Sequence, residues 1–388
     1  MPISNPSYFP SVRGTDQIVG TNAGQSQTGL RVFLAGLNSG KFSTVNDLVL
    51  LGDNNFGNTV ATDINLAGST IVGSRAFQDT INATAGLLSN TVGAITVLGS
   101  NNFASYSGAT PANMASLICI GSGIMPHFVG AAGQLYNNNI FVGNSQFYNN
   151  TGTAFGMFDN IVIGTGAMGM PSPGSPSLQR NVFLGSRIAH NNQLFNGGGC
   201  DDNVCIGSTS CGVIGTGFNQ NVVIGSQAGN NMSGGLNNVV IGYGANLSTY
   251  TSGTVAIGEG AGGGFDSSYS VFIGSNQGTT GGSNGSIIIG YNAGLNYPGT
   301  AYTFGVESYE PSTATMYSMF YGNMKTGNLC IGKLPYTQRD MTTGQNCVKL
   351  TNGSIGPTVP AGGGYLYCNN GALHWVGTSG TETILAPA

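Results

Sequence analysis

The sequence predicts an all-β fold, a parallel β-solenoid of about fifteen short coils with a small β-rich C-terminal domain. Three observations predict it. A short apolar triplet closed by glycine recurs along the chain, an asparagine returns at a fixed place before it, and the composition is rich in glycine and poor in charge.

The triplet ends at Gly52, Gly121, Gly143, Gly164, Gly185, Gly207, Gly225, Gly242, Gly258, Gly274 and Gly290, with looser copies at Gly20, Gly36, Gly73 and Gly99. Successive anchors lie 16 to 26 residues apart, with the 16-residue interval at both ends of the series. A β-branched triplet is a very short strand, and the glycine ends it where the chain must turn with positive φ. So short a unit cannot bury its own apolar face and must stack on its neighbours. At about 4.8 Å per stacked strand the anchors span roughly 65–70 Å.

Asparagine precedes the triplet at Asn139, Asn160, Asn181, Asn203, Asn221 and Asn238, and Thr254, Ser270 and Ser286 take its place later. Stacked at one position, these side chains are expected to form a ladder. Alanine recurs three residues past the glycine, at Ala23, Ala76, Ala167, Ala228, Ala245, Ala261 and Ala293.

The 66 glycines among 388 residues and a charged fraction of 6% set the chain apart from an ordinary globular domain, which carries about 25% charged residues. Disorder is excluded by 40% hydrophobic residues, and collagen by the lack of a three-residue glycine period. Ten basic residues and a net charge of −4 leave no basic stripe, so no nucleic-acid partner is expected. No run of 18 apolar residues exists, so no membrane insertion is expected. The opening MPISNPSYFPSVRG lacks a basic stretch followed by an apolar run, so no secretory signal is expected. Seven cysteines do not suggest a disulfide framework. Cys119 and Cys205 fall within triplets and are expected to be reduced and shielded, four coils apart.

Alternation along the triplet is read with its first and third residues facing into the coil. The middle residues then face outward, and they are apolar as well: Phe141, Val162, Phe183, Val223, Val240, Phe272 and Ile288. Strands apolar on both faces are buried on both faces. These seven are therefore the candidate interface of a parallel homotrimer; a wider coil with two internal layers is the other reading.

The chain divides into a proline-punctuated lead-in (1–15), the solenoid (16–295), a tyrosine-rich transition (296–325) and a β-rich end domain (326–388). The larger coils between Gly52 and Gly207 carry aromatics among asparagine and glycine, with Tyr106, Tyr136 and Tyr148 as candidate receptor contacts; aromatic filling of larger coils is the other reading. Trp375, His374, Tyr365 and Tyr367 are the candidates in the end domain, against a reading of Trp375 as the core of a trimerisation knob.

Catalytic chemistry finds little footing, and no enzyme is expected. Asp201 and Asp202 are neighbours in an extended chain and point apart. Cys200, Cys205 and Cys211 lack CxxC spacing and a nearby histidine, so core cysteines are favoured over zinc. No cofactor or metal is expected.

The units TVAIGEGA and NVVIGSQAG resemble the head repeat of trimeric autotransporter adhesins, and the pattern N-x-x-x-G-x-x-A-G is similar to that of phage and large-virus tail fibres. The likeness spans about 16–294 and implies a left-handed parallel β-roll in a three-chain bundle. TGNLCIG, Thr326 to Gly332, resembles the segment before the end domain of tail fibres, and Val359 to Ala388 looks like a glycine-rich fibre terminus. Unlike in bacterial adhesins, no signal peptide, stalk heptads or C-terminal membrane barrel is expected.

The resemblance implies a structural fibre or spike protein of a phage or large virus, contributing to host attachment and made in the host cytoplasm. It would be held to a baseplate, tail or capsid protein by its N-terminus and would meet a host glycan or protein. A cell-surface filament or adhesin subunit is the alternative, and a polysaccharide-cutting tailspike a third.

Overall fold

The computed structural model describes residues 17–20, 23, 32–37, 48–55, 68–76, 95–102, 105–108, 113–124, 127–130, 135–146, 156–167, 178–189, 199–212, 217–230, 232, 234–247, 251–263, 267–276, 284–293, 302–310, 315–325, 328–331, 348–350, 364–377 and 381–387. Among them there is no helix. The chain forms two compact units, Met1–Ser252 and Gly253–Ala388. The architecture is all-β and β-solenoid-like.

In the first unit each triplet is a strand paired in parallel with the triplet of the next coil. The stack runs through Gln17–Val19, Val32–Ala35, Leu48–Leu51, Thr70–Val72, Thr96–Leu98 and Ile118–Ser122. It continues through Ile140–Asn144, Ile161–Thr165, Val182–Leu184, Val204–Ile206, Val222–Ile224 and Val239–Ile241. Register never slips where the glycine is paired: Gly121, Gly143 and Gly164 stand opposite one another. A second parallel sheet forms the next side of the coil, from Asn113–Ala115, Leu135–Asn137, Met157–Phe158, Leu178–Gln179 and Cys200–Asp201.

Glycine at the triplet's end is a steric requirement. Gly164 has φ +147°, outside the range that side chains readily adopt. A Cβ there would sit 1.7 Å from the carbonyl oxygen of Gly185 in the next coil. The same approach repeats along the glycine column, which brings successive backbones to strand spacing at a point where the chain turns. Two residues on, a left-handed corner follows (Ser145, Arg187, Thr209, Gln227), and another precedes each asparagine (Asn138, Asp159, Arg180, Asp202, Gln220). Short polar residues tolerate that conformation best.

The triplets face the other way from the sequence reading. Phe141, Val162, Phe183, Val223, Val240 and Ile288 are fully buried within the single chain, and Phe272 is 1% exposed. All seven therefore belong to the core of their own chain instead of facing outward. The reason is alternation counted from the asparagine. Asn139 is buried, so Ile140 points out, Phe141 in and Val142 out. Met157, Leu178 and Cys200 of the second sheet, and Phe218 of the two-stranded sheet Phe218–Asn219 with Gly235–Leu236, complete the core.

A disulfide joins Cys205 to Cys211, with Cα atoms 6.4 Å apart, so Cys205 is not the reduced residue expected. Both are inward-facing residues of one coil, separated by the turn at Gly207 and the left-handed Thr209. The turn brings them within bonding reach. Cys119 is a free buried thiol, as expected, and occupies the position equivalent to Cys205 through Phe141, Val162 and Phe183. Burial pushes the thiols of Cys119 and Cys200 far up.

In the second unit Val255–Ile257, Val271–Ile273 and Ile287–Tyr291 stack in the same parallel register. Thr303–Glu310 adds to them in parallel and then pairs antiparallel with Thr315–Asn323, with a bulge between Val306 and Glu307. The tyrosine-rich stretch thus turns the parallel stack into a hairpin. Asn328–Ile331 and Val348–Leu350 extend that sheet. Gly364–Asn369, Ala372–Gly377 and Glu382–Ala386 form a separate antiparallel sheet.

Two alanine substitutions separate the close approach from mere backbone conformation. Gly164→Ala should lose at least about 3 kcal/mol of stability in urea unfolding, because a backbone oxygen cannot move away. Gly166→Ala, also at positive φ but with only Arg187 Cγ at 3.9 Å, should lose about 1–2 kcal/mol. Equal losses would contradict the steric account.

Candidate functional site

The asparagine column is a continuous internal ladder. Asn139, Asn160, Asn181, Asn203, Asn221 and Asn238 are fully buried. From Asn139 to Asn221 each Oδ1 accepts twice from the next asparagine. Asn139 Oδ1 takes the backbone N–H of Asn160 at 3.0 Å and its Nδ2–H at 2.9 Å. The pair recurs at Asn181, Asn203, Asn221 and Asn238. The Nδ2 groups from Asn139 to Asn221 donate onward to strand carbonyls of the following coil, at Met157 O, Leu178 O and Cys200 O of the second sheet and at Phe218 O and Gly235 O beyond it. The amide therefore ties two sheets and two coils together at one corner. In the second unit hydroxyls do part of this work: Ser286 N donates to Ser270 Oγ, and Thr303 N to Ser286 Oγ.

A second set of buried amides went unread in the sequence. Asn55, Asn102 and Gln146 occupy the place three past the glycine where other coils have alanine, and all are fully buried. Asn55 Nδ2 donates to Gly73 O, Asn102 Nδ2 to Gly121 O, and Gln146 Nε2 to Gly164 O. They hold the carbonyls of the glycine column itself. The signal was present, since amides stand at the alanine position of three early coils.

Outside, the first and third triplet residues form an apolar ribbon. In the first unit it includes Ile161, Ile163, Val182, Leu184, Val204, Ile206, Val222 and Ile224, all partly exposed, with Ile120 and Ile163 at 39% and 41%. Two side-chain columns about 10 Å wide over about 50 Å of stacked strands make a patch on the order of 500 Å², near the upper end of what monomers leave in water. Beside it runs a polar corner. Asn138 Nδ2 donates to Asp159, and Arg180 spans to Asp202 with Nε–Oδ1 2.6 Å and Nη2–Oδ2 2.9 Å. That hydrogen bond holds the Asp202 carboxyl below its usual range, while burial raises Asp201.

The C-terminal sheet divides the expected end-domain candidates. Tyr367 and His374 stand opposite each other on one face, ring centroids 5.2 Å apart. The Tyr367 hydroxyl donates to Glu382 Oε1, and His374 Nδ1 lies beside the same oxygen. His374 is buried and Tyr367 partly so. Trp375 belongs to the other face, opposite Leu366 and Thr383, and is 41% exposed. Glu382–Ala386 is exposed along its whole length. Tyr365 lies in the Gly364–Asn369 strand, Tyr106 in Ser105–Gly108 and Tyr136 in Leu135–Asn137. Their side chains, and Tyr148 altogether, lie outside the described residues, as does the lead-in 1–15.

Among the described residues no group of three His, Cys, Asp or Glu is placed to hold a metal ion. Two of the three clustered thiols are consumed by the disulfide. No protein-family model, curated protein or solved structure matches the chain.

Two measurements test these polar groups. Asn181→Ala removes the acceptor of Asn203 N and Nδ2 and the donor to Cys200 O. It should cost about 2–4 kcal/mol in equilibrium unfolding, and a loss near zero would contradict the ladder. The hydrogen bond from Tyr367, aided by His374, holds the Glu382 carboxyl below its ordinary range. Its folded value being lowered, its contribution is present above about pH 4.3 and is lost as pH falls through the lowered value. Trp375 fluorescence should report loosening of the sheet there, and Glu382→Gln should abolish that transition.

Proposed function

We propose that the chain is a structural fibre protein of the viral tail-fibre kind, assembled as a parallel homotrimer through the outer apolar ribbon and contributing to attachment at a host surface. The observation that carries this reading is the ribbon. A parallel stack in constant register presents two columns of Val, Ile and Leu that stay partly exposed along the first unit. Covering such a face symmetrically is the economical solution, and three identical stacks can bury it along their shared length. The repeat pattern and the fibre-like segments at Thr326 to Gly332 and Val359 to Ala388 support the viral setting. The ligand would be a host glycan or protein, and the N-terminal segment would join a virion protein.

This reading relocates the subunit contact from Phe141, Phe183 and Phe272 to their strand neighbours. Native mass measurement should give three times 39.4 kDa. Ile224→Lys with Ile163→Lys should yield folded monomer, because lysine can point outward from a half-exposed site. A wild-type monomer at micromolar concentration would overturn the assembly.

A further inference from the structure

The left-handed corner before each ladder residue is filled by short or flexible polar residues through most of the first unit. In the second unit its occupants are Gly253, Tyr269, Gly285 and Tyr302, at φ +67°, +58°, +69° and +64°. A bulky aromatic in that region is a backbone outlier, and such outliers gather at functional sites. Each ring packs by one edge on a glycine of the preceding coil and leaves much of its surface in solvent. Tyr269 is 75% exposed and Tyr302 46%.

Glycine and tyrosine alternate with one geometry. A Cβ on Gly253 would lie 2.8 Å from Cδ1 and 3.1 Å from Cε1 of Tyr269; on Gly285, 2.9 Å and 3.0 Å from the same atoms of Tyr302. Each ring thus rests by the same edge on the glycine of the preceding coil, and any side chain there would displace it. The rings recur every second coil, on the order of 10 Å apart, about the advance of two sugar units in an extended pyranose chain. On the intervening coil stands Asn284, exposed, whose Oδ1 accepts from Ser268 N at 2.8 Å. In the second unit none of the four residues of this corner column is ionised.

We infer that Tyr269 and Tyr302 form a two-ring platform for a neutral extended polysaccharide, alternate sugars stacking on successive tyrosines with hydroxyls toward the Asn284 amide. An aromatic face with a polar tip suits a sugar, which has an apolar face and a polar rim. The inference rests on the reading of the chain as an attachment fibre and adds a site and a ligand class to it.

Asparagine accepts the left-handed corner readily, so Tyr269→Asn and Tyr302→Asn remove the rings and relax the backbone together. Full-length wild type and variants would be titrated by calorimetry with cellohexaose, chitohexaose and maltohexaose, with native mass measured on each. The expected result is binding of at least one hexasaccharide by wild type and at least tenfold weakening in each single variant. The double variant should show no detectable binding, with unfolding temperature unchanged or raised and subunit number unchanged. Assembled wild type that binds none of the three, or a double variant that binds normally, overturns the platform alone. A double variant that falls to monomer makes the tyrosines a subunit contact and also overturns it. Wild type that is itself monomeric would count instead against the assembly on which the platform rests.

Discussion

Successive coils meet most closely where the glycine of one triplet lies against the glycine carbonyl of the next. Gly121, Gly143, Gly164 and Gly185 all take φ values from +136° to +147°, and each leaves no room for a side chain. That contact sets the parallel register, since a one-residue slip would bring a Cβ onto a carbonyl as well as turn the core outward. The glycine keeps the strands short, three residues at Val182–Leu184 and Val204–Ile206 and ending one residue past the glycine at Ile140–Asn144. Everything else in the coil has to satisfy backbone groups and fill space within that repeat.

The interior meets this demand with buried amides. A backbone turning twice within a few residues exposes carbonyls and N–H groups that a purely apolar core could not pair. The asparagine ladder pairs those at one corner. Asn55, Asn102 and Gln146 pair the glycine carbonyls at the other. Between these amides the core narrows and widens from coil to coil, with Phe183, then the Cys205–Cys211 disulfide, then Val223 in the same column. The disulfide occupies the space between a bulky ring and a branched side chain.

Much of the fold was legible because it is periodic. The triplets, the glycine column and the asparagine ladder lie where the spacing put them. Which face is inside was misread, because Val, Ile and Phe occur on both sides of the triplet and alternation alone has no origin. Taking Asn139 and Asn160 as the inward reference would have supplied one. The disulfide was missed because an odd cysteine count obscures a local pair six residues apart. The hairpin of Thr303–Glu310 and Thr315–Asn323 was visible only as a break in the period, since its long strands carry neither the triplet nor its closing glycine. Tyr269 and Tyr302 escaped notice because their interest lies in backbone conformation.

The correction to the facing of the triplets changes which surface is available for assembly. With Phe141 and Phe183 inside, the outer columns from Ile118 to Ile241 are branched aliphatic, a smoother face for close packing of identical stacks. Both the core and the proposed assembly therefore depend on one orientation. A cryo-EM map of the purified protein at side-chain resolution tests it most directly. The account predicts Phe141, Phe183 and Phe272 inside their own coil, glycines stacked at about 4.8 Å, and Val182 and Leu184 on the outer face. Density placing the phenylalanines outward, with Val182 and Leu184 in the core, would contradict it.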